Sequence, residues 1–263
     1  MTTTGIVDAA IWCEEAGDAT RPLIALVHGS MDRSAGMLRL SRRLDRRFRV
    51  LRYDRRGYGR STPHAGPFDV ASQVVDLFGL IGGRQALVVG HSFGGNIALA
   101  AAAARPDLVR GVAVYETPLS WQRWWPTTTA GSQAVQAPEP ASEAAERFMR
   151  RLVGDAKWES LPDKTRAARR GEGAALVGEL SDLRLNPPWV PEDVVVPVVL
   201  GFGSRGAPHH QRAMRDAAAE IRGATVVELA GCGHGAPMSD ADLFASMTVE
   251  PLIEAVGPPW SQW

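Results

Sequence analysis

The sequence predicts an α/β fold, with a mostly parallel central sheet, helices on both faces and a helical lid insertion. Short runs of β-branched and apolar residues alternate with segments of helical periodicity, which is typical of parallel βαβ units. The 263 residues suit one large domain. The alternation breaks once, between Thr117 and Pro191, where no strand pattern occurs. We therefore expect a core formed by residues 1–116 and 191–263, and a lid formed by residues 117–190.

Apolar runs bounded by glycine, proline and polar residues are predicted to form the strands. In chain order they are Ile6–Glu14 at the sheet edge, Leu23–Val27, Arg49–Tyr53, Ala86–Val89, Gly111–Tyr115, Val195–Phe202 and Thr225–Leu229. Helical patterns separate most of these runs, so right-handed crossovers should connect parallel neighbours.

Segments with apolar residues at helical spacing are predicted as helices. Asp69–Leu80 places Val70, Val74, Leu77 and Phe78 on one face. The other predicted helices are Ala35–Asp45, an Ala-rich helix that ends before Arg105, Asp240–Ala255, and two in the lid at Glu143–Leu152 and Lys164–Leu180.

The sequence Gly90-His91-Ser92-Phe93-Gly94 lies between a predicted strand and a predicted helix. This is the context of a nucleophile elbow, a sharp turn that exposes a serine hydroxyl. Gly90 and Gly94 suit such a turn, because a Cβ at either position would strike neighbouring backbone. Ser92 is therefore predicted to lie in a strained conformation at a helix N-terminus.

Three further motifs occur in a characteristic order around this pentapeptide. His28-Gly29 follows a strand, Asp54-Arg55-Arg56-Gly57-Tyr58-Gly59-Arg60-Ser61 follows the next, and His234 lies in a glycine-rich loop near the C-terminus. With these motifs the chain resembles the α/β-hydrolase superfamily over nearly its whole length. The resemblance implies that Ser92 is a nucleophile, that the Asp54–Ser61 loop is structural, and that residues 117–190 cover the active site.

Acyl transfer by serine requires a base within hydrogen-bond reach, and His234 is the best candidate. It follows a predicted strand, lies among three glycines and comes after the serine in the chain. We expect His91 and His28 to be structural, with His28 organising the loop that follows its strand. His64, His209 and His210 are expected at the surface.

The acid is where this chain departs from the superfamily pattern. Most relatives carry an Asp after the strand that ends here at Phe202, but residues 203–209 contain no carboxylate. Glu116 stands at the C-terminal end of the Gly111–Tyr115 strand, at the edge of a parallel sheet where catalysis occurs. Glu116 is therefore the predicted acid. The alternatives are Asp182 or Glu179 in the lid, or a histidine without a carboxylate partner.

Backbone N–H groups should form the oxyanion hole. Phe93 supplies one because it follows the nucleophile, and Ser30 is predicted to supply the second, with Met31 next in line. Two such donors stabilise the developing oxyanion by about 3 kcal/mol each.

The predicted lid holds five of the eight tryptophans of the chain. They either pack the lid onto the core or line an apolar or aromatic substrate pocket. Trp121, Trp124 and Trp125 are the candidates for substrate binding.

Composition excludes several other kinds of function. The formal net charge is zero, so we expect no nucleic-acid or membrane partner. No metal-ligand spacing or dinucleotide fingerprint occurs, and the chemistry requires no cofactor and no metal. The first residues lack a signal-peptide pattern, and Cys13 and Cys232 suit free thiols in a reducing compartment. A cytoplasmic enzyme acting on a small-molecule substrate is expected; no feature indicates its oligomeric state.

The function predicted from these residues is hydrolysis of a small, apolar or aromatic carboxylic ester through an acyl-enzyme. The same triad would also suit carbon–carbon bond, lactone or thioester hydrolysis, or cofactor-free perhydrolase activity. An alternative of a different class is a non-catalytic ligand-binding protein on a hydrolase scaffold. The missing Asp favours that alternative, whereas the intact Ser92 and His234 count against it.

Overall fold

The computed structural model describes residues 11–136 and 139–262. Its central feature is a seven-stranded sheet with the order β1-β3-β2-β4-β5-β6-β7. The strands are β1 (Cys13–Ala16), β2 (Leu23–Val27), β3 (Arg49–Tyr53), β4 (Ala86–His91), β5 (Val109–Tyr115), β6 (Val198–Gly203) and β7 (Thr225–Leu229). Only β1 pairs antiparallel to its neighbour, so the sheet is mostly parallel, as predicted.

Helices connect these strands. They are α1 (Leu38–Leu44), α2 (Val70–Ile81), α3 (Phe93–Ala104), α4 (Ala130–Gln136), α5 (Ala141–Val153), α6 (Asp155–Glu159), α7 (Asp163–Gly171), α8 (Gly173–Leu185), α9 (Pro208–Glu220), α10 (Ala236–Ser239), α11 (Ala241–Phe244) and α12 (Glu250–Val256). Short 3₁₀ turns occur at Ser34–Met37, Pro191–Asp193 and Trp260–Gln262, and a π-helical turn at Ala245–Val249.

Three sequence predictions differ from the structure. An edge strand is predicted at Ile6–Glu14, and the structure shows β1 at Cys13–Ala16. Ile6–Ala10 lies outside the described residues. The single helix predicted at Lys164–Leu180 is two helices, α7 and α8. Glu172 separates them, and a Cβ at Gly173, the first residue of α8, would strike the Ala141 carbonyl. The C-terminal helix contains a π turn directly before Pro251, whose ring nitrogen cannot donate a helical hydrogen bond.

The sheet is covered on both faces by apolar side chains. One buried cluster joins β2, β4 and β5 to α2, α3 and α9, and the other joins the opposite face to α1 and α12. Burying both faces is what a parallel sheet requires, and it explains the nearly continuous apolar runs of β2 and β4.

The C-terminal ends of the parallel strands meet at one edge of the sheet. The loop after β2, the turn after β4, the residue after β5 and the loop after β7 all begin there. In the described residues, the α-helices between β5 and β6 are α4–α8, and the region that holds them is called the helical insertion (residues 117–190). Within the described ranges, no helix is both long and apolar enough to cross a membrane.

Candidate active site

Ser92 lies in a tight turn between β4 and α3. Its φ is 53° and its ψ is −124°, a conformation that a residue with a side chain rarely adopts. A Cβ at Gly90 would lie 2.5 Å from the Gly94 carbonyl oxygen, and one at Gly94 would strike the Val27 and His28 carbonyls. The small residues predicted for a nucleophile elbow are therefore required by backbone packing on both sides of the serine.

Backbone strain is concentrated at the candidate site. In the described part of the chain, the non-glycine residues with positive φ are Met31, Ser92 and Glu116, at 57°, 53° and 47°. Each follows a different strand, and all three are candidate site residues from the sequence. Strain of this kind costs about 1–3 kcal/mol per residue and persists where the surrounding structure holds it in place.

Glu116 and His234 form a short hydrogen bond, with 2.6 Å between Glu116 Oε2 and His234 Nδ1. The other carboxylate oxygen, Oε1, accepts the backbone N–H of Gly203 at 3.0 Å. The Glu116 side chain is fully buried. The structure therefore brings the predicted base and the predicted acid together, with the second ring nitrogen of His234 left for another partner.

The loop after β6 surrounds the Glu116 carboxylate. Besides the Gly203 N–H, this loop places Gly206 against Glu116 Oε1, where a Cβ has no room. In this chain the loop thus contributes a hydrogen-bond donor and space to the carboxylate of the neighbouring strand. This accounts for its lack of an acidic residue.

Two aromatic side chains hold the His234 loop. His91 Nε2 donates to the His234 carbonyl at 2.8 Å, and Tyr115 OH donates to the Gly233 carbonyl at 2.9 Å. Burial lowers the pKa of His91 to about 3, so its ring is neutral and can hold one N–H on Nε2. The structural role expected for His91 is thus a link from the elbow to the loop that carries the base.

His209 and His210 do not lie at the surface as predicted. The His210 ring stacks on His234 with 4.8 Å between centroids, and both residues line the same cavity as Ser92. Burial holds the pKa of His210 well below its ordinary value. The prediction was wrong because α9 begins with these residues at the strand edge, a position that helical periodicity cannot reveal.

The loop after β2 carries the predicted oxyanion donors. His28 Nδ1 donates to the Gly29 carbonyl at 2.8 Å, while its Nε2 accepts the Arg55 N–H at 2.9 Å. His28 thus organises the loop, as expected. Among the described residues, the backbone N–H groups of Ser30 and Met31 have no protein acceptor. Phe93 is the first residue of α3, so its N–H has no intrahelical acceptor either.

Glu179, an alternative acid in the lid, makes no hydrogen bond to His234 in the described structure. It is buried and accepts hydrogen bonds from Ser30 Oγ at 2.5 Å, Tyr58 OH at 2.7 Å and Arg55 Nη1 at 2.7 Å. Although burial opposes the charge of Arg55, the Glu179 carboxylate raises the pKa of this guanidinium. Glu179 therefore links the helical insertion to the loop after β2, and its carboxylate is buried.

Replacing Glu179 by Gln should destabilise the protein by about 3–5 kcal/mol, because it leaves the buried Arg55 charge without a counter-ion. Urea unfolding measures this loss. The matched control is Asp182→Asn on the same helix, which should cost less than about 1 kcal/mol. The Arg55→Met/Glu179→Leu double variant should be more stable than Glu179→Gln. If Glu179→Gln unfolds at the parental urea concentration, the ion pair does not stabilise the fold.

A cavity of about 320 Å³ lies between the strand edge and the helical insertion. Ser92, Glu116, His234 and Ser30 line its core side. The Ser92 hydroxyl makes no hydrogen bond to His234 in this structure, and catalytic hydrogen bonds often tighten only when substrate is bound. Apart from these residues and His209 and His210, the walls include Pro118, Ser120, Trp125, Thr129, Phe148, Arg151, Leu152, Leu180 and Arg184.

Of the three tryptophans predicted to bind substrate, Trp125 lines this cavity. Trp121 instead packs edge-on against Trp189, with 5.6 Å between ring centroids. Trp124 lies under the Arg212 guanidinium, 4.1 Å from the ring centroid. Trp121 thus packs within the insertion and Trp124 joins the insertion to α9, and neither of them lines the cavity.

Glu116, His210 and His234 also have potential metal-ligand atoms within 4.8 Å of one another. The Glu116–His234 hydrogen bond already joins two of these groups. A proton between imidazole and carboxylate therefore takes the place of a cation at two of the three groups, while the buried Nδ1 of His210 has no hydrogen-bond partner in the described structure.

Comparisons with known proteins agree with this geometry. The model of the alpha/beta hydrolase family matches residues 24–247, so the chain belongs to that family. An enol-lactonase from Burkholderia xenovorans LB400 has the same fold, with a TM-score of 0.70 at 23% identity over 90% of this chain and 94% of that one.

Two curated relatives match shorter regions. The chain is 38% identical over 94 residues to the 2-(acetamidomethylene)succinate hydrolase of Mesorhizobium japonicum, covering 35% of this chain and 34% of that protein. It is 34% identical over 145 residues to an sn-1-specific diacylglycerol lipase of Mus musculus, covering 49% and 45%. The alignment therefore covers less than half the length of each relative. The names of the two relatives describe hydrolases with different substrates.

Proposed function

We propose that this protein is a serine hydrolase that cleaves a small carboxylic ester through an acyl-enzyme. The observation that carries the proposal is the Glu116–His234 hydrogen bond, at 2.6 Å, in the same cavity as the strained Ser92. A buried carboxylate on one nitrogen of an imidazole leaves the other nitrogen as a base for a serine hydroxyl.

In this proposal, His234 Nε2 accepts the Ser92 hydroxyl proton as Oγ attacks the ester carbonyl carbon. Glu116 keeps the proton on Nδ1 and stabilises the imidazolium that forms. The carbonyl oxygen becomes an oxyanion, which accepts hydrogen bonds from the Phe93 N–H and from Ser30 or Met31. When the intermediate collapses, His234 protonates the departing alcohol. Water then attacks the acyl-enzyme by the same steps, releasing the acid and restoring Ser92.

The helical insertion acts as the lid of this site. Its residues Phe148, Leu152, Leu180 and Trp125 supply apolar walls opposite the triad. The cavity volume, about 320 Å³, is at the small end of the range of about 300–1,000 Å³ for ligand pockets. Both properties favour a small substrate with an apolar or aromatic part. The relatives are named for several hydrolytic reactions, so they support hydrolysis without selecting the substrate.

The proposal is tested with a fluorophosphonate probe and a short p-nitrophenyl ester. We expect stoichiometric addition of the probe to Ser92, located by mass spectrometry of the peptides, and parallel loss of esterase turnover. Addition at another serine would assign the nucleophile elsewhere. A chain that neither reacts with the probe nor hydrolyses any short ester would instead support a ligand-binding protein on a hydrolase scaffold.

A further inference from the structure

Two arginines lie on the wall of the cavity that faces the triad. Arg151 is on α5, three residues after Phe148, and Arg184 is on α8, four residues after Leu180. Residues three and four apart share one side of a helix, so each cation accompanies an apolar wall residue into the cavity.

Arg184 has no acidic partner among the described residues. Its Nη2 donates to Ser132 Oγ at 2.5 Å, and its buried Nε has no hydrogen-bond acceptor. Burial lowers the pKa of this guanidinium, and no acidic side chain in the described structure opposes that effect. A buried donor without an acceptor costs stability, unless a ligand supplies the missing acceptor.

The other arginines on these helices behave differently. Arg150 pairs with Glu146 and Glu159, Arg166 with Asp163, Arg169 with Glu172 and Arg170 with Glu146. Arg151 donates to the neutral Gln133 side chain. On α5 and α7 the other arginines thus have carboxylate partners, whereas the two arginines that line the cavity have none in the described structure.

The cavity lining also holds more basic than acidic side chains. Glu116 is the one acidic residue in its lining, and both of its oxygens already accept hydrogen bonds. Ser120 Oγ is a further buried polar atom of the lining without a partner. The cavity thus combines apolar walls, a region of uncompensated positive charge and an unused hydroxyl.

We propose that the substrate carries a carboxylate, remote from the bond that is cleaved, and that the Arg184 guanidinium binds it with Arg151 beside it. The carboxylate site extends the proposed function, and only the identity of the cleaved bond rests on that function. A guanidinium fork matches two carboxylate oxygens, and such charge-assisted pairs are strong in a partly dry site. The substrate class is therefore a small ester with a free acid group separated from the ester by an apolar segment.

Calorimetric binding tests the anion site without catalysis. The probes are 5-phenylpentanoate and its neutral analogue 5-phenylpentanamide, which has the same size and carries an NH₂ group in place of one carboxylate oxygen. We expect the carboxylate to bind at least about tenfold more tightly to the parent protein, as one charge-assisted hydrogen bond implies. Arg184→Gln should remove most of this preference, whereas Arg184→Lys should retain part of it. Equal affinity for the two probes would overturn the proposal.

Arg123→Gln is the matched control, because Arg123 is exposed on the same insertion and does not line the cavity. It removes the same charge and should leave the preference intact. If Arg184→Gln fails to fold, Arg151→Gln at its exposed position provides the second variant and should weaken the preference severalfold. A preference lost equally in Arg123→Gln would show a general charge effect and refute a local site.

Kinetics separate this inference from the proposed function. The substrates are p-nitrophenyl hydrogen adipate and p-nitrophenyl hexanoate, and the readout is the ratio of their kcat/KM values. A ratio above about ten that falls in Arg184→Gln supports both proposals. Turnover of both esters with a ratio near one overturns the anion site alone. Absence of turnover, with charge-dependent binding intact, overturns the serine hydrolase proposal alone.

Discussion

Replacing Ser92 by alanine should abolish fluorophosphonate labelling and lower kcat for short esters by a factor on the order of 10⁵ to 10⁶. The expected loss is large because no other hydroxyl can replace the one at the elbow between Gly90 and Gly94. The Glu116–His234 hydrogen bond does not involve Ser92, so the rest of the site should remain in place. Labelling that persists in Ser92→Ala would refute the assignment.

The backbone conformation of Ser92 adds a second measurement to the same experiment. Its φ of 53° is strained for alanine but not for glycine. Ser92→Gly should therefore be more stable than Ser92→Ala by about 1 kcal/mol or more, as measured by urea unfolding, while both are inactive. Equal stability of the two variants would mean that the turn stores no strain at this residue.

Replacing Glu116 by glutamine should lower kcat by a factor on the order of 10² to 10⁴, with smaller effects on KM and melting temperature. Both carboxylate oxygens accept hydrogen bonds, one from Gly203 N–H and one from His234 Nδ1–H. The glutamine side chain has one oxygen and one NH₂ group. Whichever way it turns, a donor meets a donor, so either the Gly203 N–H is left unpaired or His234 adopts the wrong tautomer.

Asp182→Asn is the control for this substitution, because Asp182 accepts hydrogen bonds from the Val70 N–H and Asn186 and does not line the cavity. Its kcat should stay within about threefold of the parent. A Glu116→Gln variant with nearly parental kcat would show that His234 works without its carboxylate partner, and vestigial catalysis would then be the better explanation.

Local sequence rules explain why the candidate site residues at the C-terminal ends of β4 and β5 could be predicted. Gly90 and Gly94 are needed within five residues of one another, and Glu116 directly follows β5 beside the elbow strand. The position of Glu116 opposite His234 follows from strand order, because adjacent parallel strands end at the same edge. The sequence alone therefore points from the missing acid after β6 to Glu116 on the neighbouring strand.

Contacts between distant parts of the chain could not be predicted in this way. Glu179 and Arg55 are 124 residues apart, and nothing in either segment indicates the other as its partner. The stacking of His210 on His234 depends on where α9 begins, and the different directions of Trp124 and Trp125 depend on one turn. In each case the deciding quantity is the orientation of a packed segment, which periodicity does not specify.

The buried ion pairs of α8 also bear on which parts of the helical insertion can move. Glu179 near the middle of α8 holds Arg55, Tyr58 and Ser30, and Glu172 at its start holds Arg33 and Arg169. Lifting α8 from the core would expose or separate these charges at a cost of several kcal/mol. We therefore expect α8 and the loop after β2 to stay together when the insertion moves. Opening of the cavity would then involve α4 and α5, which would leave the backbone N–H groups of Ser30 and Met31 in place.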